Sequence, residues 1–135
     1  MLRTLKTLGA AVAGMVMLAL PALAAPTFNP EGAWEPGGKD MLYNVYLCGD
    51  GTQLCATLDW AAPKLLKGKP DNYVGSKVFY DLKPRGQNTW RGDFDFLGRR
   101  VSGTVKLVDE NHMKLRGCVY VVVCGDAELF RKGTR

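Results

Sequence analysis

Few side chains in this chain carry chemistry: four cysteines, one histidine (His112) and two serines (Ser76 and Ser102). The cysteines fall in two close pairs, Cys48 with Cys55 and Cys118 with Cys124. As free thiolates they would be nucleophiles or metal ligands; paired, they offer neither. Zinc favours two-residue cysteine spacing or added histidines, and this chain has no such spacing, so no metal site and no cofactor are predicted. Two disulfides are expected instead.

Three pairings are open to four cysteines, and spacing favours the local ones. Six residues, Gly49 to Leu54, separate the first pair. An even loop with Gly51 at the first central position of a type II′ turn would set Cys48 directly opposite Cys55. Directly opposed residues lie about 4.5–5.5 Å apart at Cα, inside the disulfide range. The second pair encloses Val119-Tyr120-Val121-Val122-Val123, which reads as strand. Held straight, that run would part the sulfurs by about 20 Å, so a Cys118–Cys124 bridge requires it to bend. A Cys55–Cys118 link would instead require those two strands to be neighbours.

A Ser-His-Asp site is the one nucleophilic arrangement available, and its geometry fails. The Asp109-Glu110-Asn111 turn pairs Val108 with His112, which leaves Ser102 about six rungs away, roughly 20 Å. His112 beside a turn reads as an exposed polar residue. Asp93 and Asp95 share one strand face and could hold a cation, though a solvated outer face explains them more simply. No enzyme activity is expected.

Basic residues cluster at Lys64, Lys67 and Lys69, at Arg99-Arg100, and at Arg131, Lys132 and Arg135. Such clusters suit solvated loops and predict no more than weak contact with an anionic membrane surface. Residues 1–24 read as a cleaved signal peptide. Arg3 and Lys6 precede an apolar run from Leu8 to Leu20, Pro21 breaks it, and Ala22-Leu23-Ala24 is the small-x-small cleavage pattern. The run is shorter than the roughly 20 residues of a spanning helix. Cleavage after Ala24 leaves 111 residues, with sixteen basic and thirteen acidic side chains. Export argues against nucleic acid as a partner, and the oligomeric state is not legible.

Residues 25–135 must then form one domain that positions these groups. Apolar residues alternate over Met41–Cys48, with Met41, Tyr43, Val45 and Leu47 on one face. They alternate again over Leu54–Trp60, with Leu54, Ala56, Leu58 and Trp60 inward. Ala61–Gly75 has no period and reads as a long loop with room for one helical turn. Lys77–Leu82 is a strand closed by a turn at Pro84–Asn88. Thr89–Phe96 points Trp90, Phe94 and Phe96 inward, and Leu97-Gly98-Arg99 turns it. Val101, Val105 and Leu107, then Met113 and Leu115, face in on the strands that follow.

Seven or eight short strands joined in sequence predict an all-β antiparallel meander. Its edges disappear most simply by closure into a small up-and-down β-barrel of about eight strands, stapled by disulfides. A two-sheet sandwich is the alternative.

The chain carries, in order, Gly32-x-Trp34, Cys48-Gly49 with Leu54-Cys55, Trp90-x-Gly92, Gly98-Arg99, Leu115-x-Gly117-Cys118, Cys124 and Arg131. This order of landmarks resembles the bacterial domain-of-unknown-function family 2147, exported proteins with a lipocalin-like barrel. The first cysteine loop is two residues longer than the usual form. Val101 stands where a tyrosine is expected, and Leu129-Phe130-Arg131 replaces a Trp-x-Arg close. The resemblance implies a periplasmic protein in which Trp34 plugs one end of the barrel and Arg131 lies over its indole. The family's name supplies no activity.

Two functions remain. One is a binding module for a small apolar or amphipathic molecule, with Tyr43, Leu58, Trp60, Tyr80, Trp90 and Phe94 as candidate lining. The other is a non-catalytic envelope interaction or structural protein with a packed interior.

Overall fold

In the computed structural model the described residues are 9, 13–14, 26–96, 98–120 and 123–133. The expected signal segment and its cleavage point therefore lie almost wholly outside them. Eight antiparallel strands, each paired with the next in sequence, close into a barrel through a β1–β8 ladder. They are β1 (Gly32–Pro36), β2 (Met41–Cys48), β3 (Gln53–Ala61), β4 (Lys77–Gly86), β5 (Thr89–Phe96), β6 (Arg99–Asp109), β7 (His112–Tyr120) and β8 (Val123–Arg131). One short 3-10 turn, Pro63–Leu65, interrupts the β3–β4 connection.

Antiparallel order gives the barrel two unlike ends. The β2–β3, β4–β5 and β6–β7 turns share one end with the segment 26–31 and with Arg131. The β1–β2, β5–β6 and β7–β8 turns and the long 62–76 connection share the other. At the first end Trp34, Val45, Leu54, Trp90, Leu107 and Met113 are almost wholly withdrawn from water, so the barrel there is filled.

Both disulfides form as the local pairs. The first differs in register from the direct opposition expected. Cys48 pairs with Gln53 and Tyr46 with Cys55, so the bridge runs diagonally across a four-residue loop, at a Cα separation of 6.0 Å. Gly49 (φ 62°) and Gly51 (φ 92°) both take the left-handed region, which a two-residue type II′ turn does not need. For the second, the valine run does bend: Cys118 stands opposite Cys124 with Cα atoms 4.0 Å apart, and Tyr120 opposite Val123. Val121 and Val122 lie outside the described residues.

Two irregularities reset the alternation. On β3, Leu42 pairs with Trp60 but Tyr43 pairs with Leu58, so Asp59 is a bulge. Leu58 and Ala61 are both buried, and Trp60 is turned outward at 48% exposure. Its expected inward position is thereby corrected. On β4, Asp81 has φ 49°, and three residues from Phe79 to Leu82 span two on β3. Phe79 and Leu82 are both buried, and the strand runs on through Pro84 to Gly86, where a turn was expected. The turn itself is Gln87-Asn88, with Asn88 at φ 55°.

Four glycines form a row across half the wall: Gly92 opposite Gly103, Gly103 opposite Gly117, and Gly117 opposite Gly125. The lack of side chains lets the sheet coil tightly there. A Cβ on Gly103 would fall on the Arg116 carbonyl, and one on Gly117 would lie 2.9 Å from the Phe94 ring. A Cβ on Gly125 meets nothing within 4 Å.

The row predicts an unequal pair of alanine variants. Gly103→Ala must push two backbones apart and should lower urea-unfolding stability by about 3 kcal/mol or more, while Gly125→Ala should change it by under about 0.5 kcal/mol. Equal losses would disprove the close approach.

Candidate functional site

The glycine row leaves room at the end away from Trp34. A cavity of about 220 Å³ opens there, lined by Phe94, Phe96, Val101, Leu115, Gly117, Val119 and the β8 run Val123–Ala127. These lining residues come from β5 to β8, and their alternation places them on the inner wall. Phe96 therefore faces the interior as expected, yet it is 49% exposed because it stands on the rim. Phe94 is the floor: its ring meets Phe79 edge-on at 6.1 Å between centroids and covers the bare backbone of Gly117.

The six residues proposed as ligand lining are dispersed. Phe94 alone of them borders the cavity. Leu58 and Trp90 belong to the packed core, and the Trp90 indole donates to the Thr52 carbonyl at 2.9 Å. Tyr43 is half-buried below the 62–76 connection and donates to the Met41 sulfur. Trp60 and Tyr80 are on the outer wall, displaced by the Asp59 and Asp81 irregularities. The Arg100 guanidinium lies 4.1 Å from the Tyr80 ring centroid and bonds Asp93 at 3.1 Å. Sequence reading missed Val119, Val123 and Gly125, because the valine run gave no sign of where it turned. Pairing the glycines of β5 to β8 by register would have found the cavity.

Above Tyr43, the 62–76 connection crosses the end of the barrel on the β3–β5 side. Leu66 and Tyr73 pack against the core. The Tyr73 hydroxyl donates to Asp95 at 2.9 Å, and Asp95 also accepts from the Gly98 amide at 3.0 Å. Asp93 and Asp95 thus each serve a different partner and do not converge on a cation. Burial first, and the Asp95 carboxylate second, push the Tyr73 hydroxyl up to about 12. Burial likewise raises Tyr43, with smaller contributions from Tyr73, Asp95 and Asp40.

At the opposite end Trp34 and Arg131 are cross-strand partners, and the guanidinium stands 4.6 Å from the indole. Arg131 donates to the carbonyls of Glu110 (2.9 Å), Glu31 (2.8 Å) and Asn29 (2.7 Å), while the Trp34 indole N–H donates to Pro30 at 2.8 Å. A Cβ on Gly32 would lie 2.7 Å from the guanidinium, so the glycine makes room for it.

The remaining chemistry-bearing groups are accounted for. His112 is stacked on Phe130 at 4.9 Å and lies 3.6 Å from Glu128, half-buried rather than exposed as expected. Ser102 pairs with Cys118, at the far end of the same ladder. Cys48, Cys55 and Asp81 are close enough to share a metal. Their sulfurs are bridged, however, and supply no thiolate. The Asp81 carboxylate rests 2.9 Å from the Cys55 sulfur as a contact without a proton, held near Lys77 at 3.6 Å.

No family model, curated protein or solved structure matches this chain.

The raised tyrosines set a pH window. Both hydroxyls are held neutral in the fold above the ordinary tyrosine value of 10.0, at which the unfolded chain ionises. Their contribution is complete below pH 10 and declines as pH rises from about 10 towards 12. Urea midpoints should fall across that range, and fall less in Tyr43→Phe. A midpoint flat from about pH 10 to 12 would contradict the assignment.

Proposed function

We propose that the protein is an exported, periplasmic, non-enzymatic member of the lipocalin-like barrels, akin to the domain-of-unknown-function family 2147. In this reading it binds the apolar part of a small amphipathic molecule in the cavity between β5 and β8. The observation that carries the reading is the inner-wall cavity bounded by Phe94, Phe96, Val101, Leu115 and Val119, beside a Gly125 that leaves the space unfilled. Apolar concavity of this kind takes up hydrocarbon or aromatic groups, since burying them releases about 25 cal/mol per Å².

Size narrows the ligand. Sites for whole drug-sized molecules span about 300–1,000 Å³, and this one is smaller at about 220 Å³. It suits one short acyl chain or one ring system, with the polar remainder outside the rim. The two disulfides and the cleavage pattern at Ala24 support export. The filled end around Trp34 and Trp90 favours the second reading, an envelope interaction protein whose interior serves only stability.

Titration with the fluorescent probe N-phenylnaphthylamine separates them. The protein should bind it, and Gly125→Leu, which fills the cavity, should weaken binding at least about tenfold with the unfolding midpoint unchanged or raised. Arg91→Ala, on the outer wall, should bind as before. Absence of binding, or equal binding by Gly125→Leu, would favour the packed-interior reading.

A further inference from the structure

The large apolar side chains that remain exposed are unevenly placed. Trp60, Val74, Phe96, Tyr120 and Val123 all belong to strand ends or loops at the cavity end, and Tyr120 (74%) and Val123 (58%) are the most exposed of them. At the other end stands Val108 alone among the described residues. The fringe survives although a packed core is available on the same strands. Exposed apolar surface gathered in this way marks a contact surface.

Exposed cations accompany the fringe. The 62–76 connection carries Lys64, Lys67 and Lys69 against Asp71, and Arg99 and Arg100 follow Gly98 in the neighbouring turn. Lys69 lies over the Tyr73 ring, and Arg100 is held by Asp93 and Tyr80. Lys64, Lys67 and Arg99 are exposed. Lys39 and Asp40 in the β1–β2 turn offset each other. The filled end carries Glu31, Asp50, Asp109 and Glu110 against Arg85, Arg131 and Lys132. The exposed cations Lys64, Lys67 and Arg99 thus stand at the end that also carries the apolar fringe.

We infer that the cavity end docks on an anionic lipid bilayer. Lys64, Lys67 and Arg99 face headgroups there, and Phe96, Tyr120 and Val123 enter the headgroup–acyl boundary. A polyanion without an apolar layer would satisfy the cations and leave Phe96 and Val123 in water, whereas a bilayer interface takes both. Tyrosine and tryptophan, with an apolar body and a polar tip, are the aromatics that interface favours, and Tyr120 and Trp60 have that character. Docked in this orientation, the barrel opens its cavity towards the lipid. The surface is independent of whether the cavity takes a ligand, and the test below reads no cavity ligand.

The test is co-sedimentation of the protein, as recovered from expressing cells, with phosphatidylcholine vesicles containing about one third phosphatidylglycerol, and with phosphatidylcholine alone. Binding to the anionic vesicles should be at least about tenfold stronger and should weaken with salt. At about fivefold per cation, Lys64→Gln, Lys67→Gln and Arg99→Gln combined should lower it about a hundredfold. The same charge change on the wall, at Arg91, Lys106 and Lys114, should lower it less than about tenfold, since these lie away from the interface. Tyr120→Ser should weaken binding without altering the circular dichroism spectrum. Equal loss from the two triple variants would overturn the docking surface, as would equal binding to neutral vesicles. Binding to soluble polyphosphate as tight as to vesicles, or a dimer that Tyr120→Ser dissolves, would assign the surface to another occupant and overturn the inference.

Discussion

The barrel depends on one contact between its two ends of chain. A sheet that closes must join its first strand to its last, and here the joining ladder is short: Trp34, Glu35 and Pro36 against Arg131, Phe130 and Leu129. Pro36 has no amide proton to give it. Arg131 compensates from its side chain, bonding three carbonyls on segments far apart in sequence while covering the Trp34 indole. A lysine, with one compact ammonium, could not stack flat and reach all three. The indole in turn fills the barrel end and donates to Pro30, which fixes the entering chain.

With one end sealed, the tight coil of β5 to β8 determines what happens at the other. Gly103 and Gly117 bring neighbouring strands and the Phe94 ring close, while a Cβ on Gly125 would meet nothing within 4 Å. One row of glycines therefore produces both curvature and a hollow. The 62–76 connection covers the β3–β5 side through Leu66 and Tyr73 and leaves the β7–β8 side open. Fold and candidate site share a cause in that asymmetry.

Much of this was legible from residue types. Cysteine spacing gave the pairs, and strict alternation over Thr89–Phe96 and Val101–Leu107 gave inward faces that the structure keeps. The failures come from places where one residue breaks the period. Asp59 and Asp81 are polar, short and exposed, so nothing in the sequence marks them as bulge and left-handed residue. Each turned a neighbouring aromatic, Trp60 or Tyr80, to the opposite face from a simple alternating count. The cavity was hidden for a different reason. Its wall includes Gly117 and Gly125, which carry no hydrophobic signal, and a search for aromatics passes over them.

The most direct test of the closure is a double-mutant cycle on Trp34 and Arg131, with Trp34→Ala, Arg131→Ala and the double variant compared by urea unfolding. Loss of the indole alone should cost about 3–5 kcal/mol. If the guanidinium acts through the indole, the two changes should be non-additive by at least about 0.5 kcal/mol, because each removes the partner of the other. Strict additivity would mean that Arg131 holds its carbonyls independently of the plug, and would contradict the account.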